Sequence, residues 1–246
     1  MNRYLIKIEY DGTNFVGWQY QNNGISIQKV LQKAFFQLLK EKVIVNGSGR
    51  TDAGVHALEQ SAHIEIEKPI LNKQAFINLI NFYLKKFPIS ILSLKKKNKT
   101  FHARYSAKQR VYKYLILNRI SNSPLNKNKV WFIKKKLDIK LIKKALKEFK
   151  GTHDFSTFRS SSCQAKSPVR TIDIARLKKI GEIIEINFIS KSFLQQQVRS
   201  MVGALKYVGE KKWTIKEFKK NFKSKKRFNC APPAPACGLY LKKVKY

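Results

Sequence analysis

Two kinds of hydrophobic spacing take turns along this chain, and their order leaves few folds open. Tyr4 to Tyr10 alternate as a strand. Ser26 then precedes Ile27, Val30, Leu31, Ala34, Phe35, Leu38 and Leu39, which form one helical stripe behind an N-cap residue. Val43 to Val45 predict a short strand. Leu58, Gln60, Ala62, Ile64 and Ile66 alternate with Glu59, Ser61, His63, Glu65 and Glu67, the pattern of a half-buried strand. Asn72 is placed to cap a helix carrying Phe76, Leu79, Ile80 and Tyr83, and Ile89 to Leu94 read as another strand. The order is β-α-β-β-α-β.

The second half repeats it. Arg110 to Leu117 predict a strand; Asp138 caps a helix through Ile139, Ile142, Leu146 and Phe149, stopped by Gly151. Strands follow at Val169 to Leu177 and Ile183 to Ile189. A helix carries Leu194, Val198, Met201, Val202 and Leu205, a shorter one runs near Ile215 to Phe222, and Gly238 to Val244 form the last strand. The simplest account is an α+β fold of two ferredoxin-like halves with mainly antiparallel sheets flanking a central basic cleft. Residues 1–105 are expected to form an N-terminal α+β domain and 106–246 a C-terminal one. No residue-level repeat accompanies the architectural one.

Charge narrows the ligands. The chain carries 51 Lys+Arg against 15 Asp+Glu, a formal charge of +36. Such a balance is the footprint of a polyanion binder, most often of nucleic acid. A duller contribution is codon bias, since Lys outnumbers Arg while Ile, Asn and Phe are also abundant. The start, MNRYLIKIEYDG, alternates charge with apolar residues, so no signal peptide is expected. No apolar run approaches the ~18 residues of a membrane span, and no membrane association is expected. Cys163, Cys230 and Cys237 are an odd set without CxxC or Cys/His ligand spacing. That usage points to a reduced, cytoplasmic compartment and to no metal site.

One segment runs against the charge. GSGRTDAGVHAL (residues 47–58) frames Arg50-Thr51-Asp52 with Gly47, Gly49 and Gly54. Glycines at this density let the backbone turn sharply and approach a ligand closely. A guanidinium close to a carboxylate lowers its pKa while burial raises it, so Arg beside Asp keeps a partly desolvated carboxylate ionised. Such a group is a nucleophile or general base. The loop alone favours, narrowly, an ordinary turn in which Asp52 bonds its own backbone. His56 is read as a structural hydrogen-bonding residue and Cys163, in SSSCQ, as inert. Arg110, Tyr112 and Tyr114 share one face of a strand, an arrangement that suits phosphate binding with base stacking as well as it suits core packing. Arg199 lies at the edge of its helix's apolar stripe, where a surface cation is usual. Runs such as LKKKNK and FKSKKR read as solvated faces.

The wording of the loop adds more. GRTDAGVHA (residues 49–57) resembles the signature of the tRNA pseudouridine synthase A family. IEYDGTNFVGWQ (8–19), FHARYSAKQRVYKY (101–114), HDFSTFR (153–159), FLQQQVRSMVG (193–203) and APACGLYL (234–241) resemble further family segments in the same order. The resemblance implies isomerisation of uridine to pseudouridine within the tRNA anticodon stem-loop, at positions 38, 39 and 40, by a homodimer without cofactor or metal. It implies Asp52 as catalytic nucleophile, with Arg50, Tyr112 and Arg199 in the catalytic set. Tyr112, Arg110 and Arg104 are the implied substrate-binding residues. Three routes are open to such a carboxylate: attack at C6, attack at C1′, and elimination through C2′. Gln196 stands where relatives often have histidine, so no role is carried to it. Two other functions compete. A metal-dependent nuclease would use Asp52 and His56 with further acids, and a non-catalytic RNA-binding module would explain charge and tyrosines but not the glycine-framed aspartate.

Overall fold

The computed structural model describes residues Met1–Tyr246. It is a mixed α/β protein of ten strands, mainly antiparallel, and five α-helices. The chain forms two compact units, one of Met1–Lys108 with Tyr240–Tyr246 and the other of Gln109–Leu239. The last seven residues thus group with the first unit.

The first unit runs β1 (Asn2–Tyr10), α1 (Ile27–Leu39), β2 (Asn46–Gly47), β3 (His56–Ile66), α2 (Lys73–Leu84) and β4 (Ile89–Lys97). Strand β1 is flanked by β4 and β3, both antiparallel to it. On β3's other edge, β2 pairs at Ala62 and His63, and the closing strand (Leu239–Lys245) runs parallel at His56 and Ala57. Both helices start where a side chain replaces a missing acceptor: Ser26 accepts from Lys29 N and Asn72 from Ala75 N. They meet through Phe35 and Phe76, whose stacked rings lie 6.3 Å apart.

Three expectations change here. Val43–Val45 do not join the sheet. Val43 and Val45 are buried, but Val45 bonds side chains of α1 instead of a strand, its carbonyl to Gln28 and its amide to Gln32. Leu79 and Tyr83 of α2 are exposed, while Phe76, Ile80 and Leu84 face inward. Asn81 fixes that rotation by bonding both the amide and the carbonyl of Ile91 on β4. Finally, β3 is covered on both faces near its middle, for Ser61 and His63 are buried. The polar face is neutralised instead of solvated: Arg3 pairs with Glu65 at 2.7 Å, Lys7 with Glu59 at 2.9 Å, and Lys7 also bonds Ser61. Over it lie Phe101 and Ala103, packed with Leu5 and Tyr246.

The second unit contains β5 (Gln109–Asn118), β6 (Trp131–Ile133), α3 (Ile139–Lys147), β7 (Gly151–Asp154), β8 (Val169–Ile180), β9 (Ile183–Ser190), α4 (Gln197–Gly209) and α5 (Ile215–Lys223); the closing strand is β10. Strands order as β5-β9-β8-β7, antiparallel, with β6 parallel to β5. Neither β6 nor β7 was signalled by periodicity, since three or four residues are too short to show a period. Asp138 caps α3 by accepting from Leu141 N, and Thr214 with Glu217 forms a capping box on α5. Helix α3 ends at Lys147, ahead of Phe149. Phe149 is fully buried within 5.2–6.4 Å, centroid to centroid, of Phe155, Phe158, Phe188, Phe218 and Phe222.

The covered face of β3 carries a titration. Burial, then His102 and Arg3, outweigh Glu65 and hold the His63 pKa down at about 4. His63 is therefore neutral in the folded protein, while an unfolded histidine takes up a proton near pH 6.5. Its contribution is complete above pH 6.5 and is lost as the pH falls towards 4. His63→Gln, which keeps an acceptor for Ala103 N, should remove at most about 3 kcal/mol of acid sensitivity in that window. Urea denaturation at pH 7 and pH 4.5 measures it, and equal acid sensitivity in both proteins would rule it out.

Candidate active site

The RTD triplet sits in the connection from β2 to β3. Val55 N donates to the Asp52 carbonyl at 3.2 Å, closing a turn through Ala53 and Gly54, and Gly54 has φ +75°. Asp52 is half-buried, Thr51 is buried and Arg50 is exposed.

Two segments grip this connection. The turn after β1 comes from one side. Tyr10 Oη and Thr51 Oγ1 are 2.8 Å apart, Trp18 N donates to the Thr51 carbonyl at 3.1 Å, and Gly54 N to the Phe15 carbonyl at 3.3 Å. Gly12 and Gly17 make the approach close. A Cβ on Gly12 would lie 2.0 Å from the Val55 oxygen, and one on Gly17, which has φ +110°, would lie 2.7 Å from the Thr51 oxygen. From the other side, Gln60 of β3 donates to the Gly49 carbonyl at 3.0 Å and accepts from Ser48 Oγ at 2.8 Å. Arg50 Nε donates to Gln19 Oε1 at 3.1 Å, which holds the guanidinium at the rim of the loop. The backbone around Asp52 is thereby set by its neighbours before any ligand arrives.

His56 has a structural position. Gly12 N donates to its Nδ1 at 3.0 Å, and its ring stacks on Tyr240 at 4.7 Å. Asp11 Oδ1 also lies 3.1 Å from Nδ1. Arg104 lies in the same unit, exposed in the segment after β4, its guanidinium carbon 5.6 Å from the Tyr105 ring centroid.

Tyr112, Arg110 and Arg199 belong to the second unit. Tyr114 is fully buried, its hydroxyl donating to the Pro235 carbonyl at 2.7 Å, and burial pushes its pKa well above the usual phenol value. Tyr112 is largely buried and meets Phe193 in a T-shape at 5.2 Å. Arg110 donates to the Lys191 carbonyl. Arg199, in the first turn of α4, donates from Nε to the Ala234 carbonyl at 2.7 Å, and Ala234 N returns a bond to the Arg199 carbonyl at 2.9 Å. That segment reaches α4 because Gly203 has no side chain; a Cβ there would lie 2.0 Å from the Pro232 oxygen. Gln196 stands at the N-cap position of α4 with φ +60° and makes no side-chain capping bond. HDFSTFR is core: Phe155 and Phe158 are buried, and Thr157 Oγ1 bonds the carbonyls of Asn221 and Phe222.

The supports of the loop, Tyr10, Gln19 and Gln60, were not singled out from the sequence. They act across 41, 31 and 11 residues, separations at which one sequence carries no spacing signal.

Comparison with known proteins places these segments in context. A family described as tRNA pseudouridine synthase matches residues 6–106 and 145–246. The chain is 57% identical over 246 residues to tRNA pseudouridine synthase A of Pelagibacter ubique (strain HTCC1062), covering all of both chains. It is 45% identical to the protein so named from Afipia carboxidovorans, again over all of both, and 42% identical to that of Maricaulis maris, over 98% of the latter.

The close approach at Gly12 is testable. Gly12→Ala should destabilise the protein by about 1–3 kcal/mol, because backbone rather than a flexible side chain must yield. A urea midpoint equal to that of the unaltered protein would show that the turn does not brace the loop.

Proposed function

Because the chain belongs to the tRNA pseudouridine synthase family, we propose that it isomerises uridine to pseudouridine in the tRNA anticodon stem-loop, at positions 38, 39 and 40, with Asp52 as catalytic nucleophile. The observation that supports this most is the frame around Asp52. Backbone and side chains from two segments converge on one short connection whose functional groups are a carboxylate and an arginine.

The reaction breaks the N1–C1′ bond and forms C5–C1′. The proton on C5 leaves and N1 takes one up, so oxidation states are unchanged and nothing is transferred from outside. Neither cofactor nor metal is required. Asp52 supplies the carboxylate. Arg50, at the rim, fills the space left by the everted uridine, offsetting an unstacking cost of a few kcal/mol. Tyr112 packs on the detached base and assists loss of the C5 proton; Arg199 is a supporting cation of the catalytic set. Arg104 and Arg110 contact the RNA backbone.

The same reading includes two ferredoxin-like halves and a basic cleft; the first half is supported by β1-α1-β3-α2-β4 in the first unit with β1 between β4 and β3. It assigns the RTD loop to the N-terminal domain and includes a cytoplasmic homodimer. No helix is long and apolar enough to cross a membrane.

Asp52→Ala should reduce tritium release from C5-labelled uridine in tRNA to background while tRNA binding persists; release at the unaltered rate would remove Asp52 from the chemistry. Tyr112→Phe should bind tRNA and react about 10²–10⁴-fold more slowly, the range for loss of a positioned proton-transfer group. A full-rate variant would leave Tyr112 a packing residue. Stoichiometric binding without turnover by the unaltered protein would identify an RNA-binding module instead.

A further inference from the structure

We propose that Tyr105, with Arg104 beside it and His102 behind it, is a stacking platform for an unpaired nucleobase of the RNA substrate, away from the reacting uridine. The proposal rests on the RNA-modifying reading above and extends it to a second point of contact.

Tyr105 is 75% exposed, yet its surroundings are not those of a loose side chain. Its ring lies 4.4 Å from that of His102, and the Arg104 guanidinium carbon stands 5.6 Å from its centroid. His102 Nδ1 accepts from Arg104 N at 3.1 Å and from Tyr105 N at 3.4 Å. Ser106 closes the loop, taking a bond from His102 N on its Oγ and giving one from its own N to the His102 carbonyl. Beneath, His63 lies 4.7 Å from His102 and accepts from Ala103 N at 3.2 Å, Tyr246 Oη donates to the Ala103 carbonyl, and Arg3 donates to the carbonyls of Lys99 and Phe101. Burial, with Arg3 and Arg104, lowers the His102 pKa, so an uncharged imidazole backs the ring at neutral pH.

This is a rigid mount for one outward-facing aromatic ring. A preorganised ring forfeits little side-chain freedom when a base stacks on it. Every base offers a π-face to such a ring, and an adjacent arginine adds a cation–π or phosphate contact. The neighbours favour RNA over an apolar protein surface, since Lys99, Arg104 and Lys108 are exposed cations. The mount is tied to β3 at His63, whereas the RTD loop enters β3 at His56. At ~3.3 Å per residue that separation is roughly 20 Å, so the platform acts on binding and not on the reacting bond.

Steady-state kinetics on tRNA with direct binding measurements test this. Tyr105→Ala should raise KM and Kd about 5- to 150-fold, the range for loss of one stacked base, with kcat and melting temperature retained. Tyr105→Phe should behave as the unaltered protein, because stacking does not need the hydroxyl. The effect should appear with an unpaired RNA strand and vanish with a fully paired duplex. An unchanged Kd in Tyr105→Ala, an equal loss in the Phe variant, or an equal loss with duplex would each overturn the proposal. Failure of the isomerase reading is seen separately, as absence of turnover by the unaltered protein, and the Kd comparison decides the platform in that case too.

Discussion

The turn between β1 and α1 lies so close to the RTD loop that two of its residues have no room for a side chain. Gly12 and Gly17 meet carbonyl oxygens of Val55 and Thr51, and hydrogen bonds from Trp18, Gly54 and Tyr10 complete the contact. Without this approach the connection would be a free loop between β2 and β3, and the direction of Asp52 would be left to solvent. With it, the loop is part of the scaffold. The cost is borne locally, in a positive φ at Gly17 and Gly54, conformations that glycine adopts without steric penalty.

Acidic residues are scarce in this chain, and many serve as counterions for structure. Glu65 and Glu59 cover the inward side of β1 by pairing with Arg3 and Lys7. Asp154 and Glu148 meet Lys225 and Lys219, and Glu182 meets Arg119. Glu210 is the buried case. Burial alone would raise its pKa, but Lys206 and Lys212 outweigh that and lower it. Pairs that are largely exposed contribute little to stability. Their value is in letting strands and helices pack beneath a surface whose remaining charges are nearly all positive and open to phosphate.

Helix starts were legible because caps act within three residues: Ser26, Asn72 and Asp138 each stand where the backbone lacks a partner. The face of α2 was not legible, since Leu79 and Tyr83 fit a stripe as well as Leu84 does until Asn81 clamps β4. The burial of His63 and Ser61 was hidden for a similar reason. Their polar character predicted solvent, but a segment some forty residues later supplies the cover and the hydrogen bond. The weight given to Asp52 came from the wording around it, through family resemblance. Its frame depends on long-range contacts that no local pattern encodes.

The first unit also contains both ends of the chain. Tyr240 and Leu241 lie parallel to β3 at His56 and Ala57, and Tyr240 stacks on His56. Ribosomes deliver residues in order, so β1 through β4 emerge more than a hundred residues before the strand that flanks the start of β3. Until Tyr240 and Leu241 have emerged, that edge has open backbone donors and acceptors, and His56 lacks the Tyr240 ring. Completion of the unit that holds the RTD loop therefore waits on Tyr240 and Leu241, and a nascent chain stalled short of Tyr240 would carry a sheet edge available to the wrong partner.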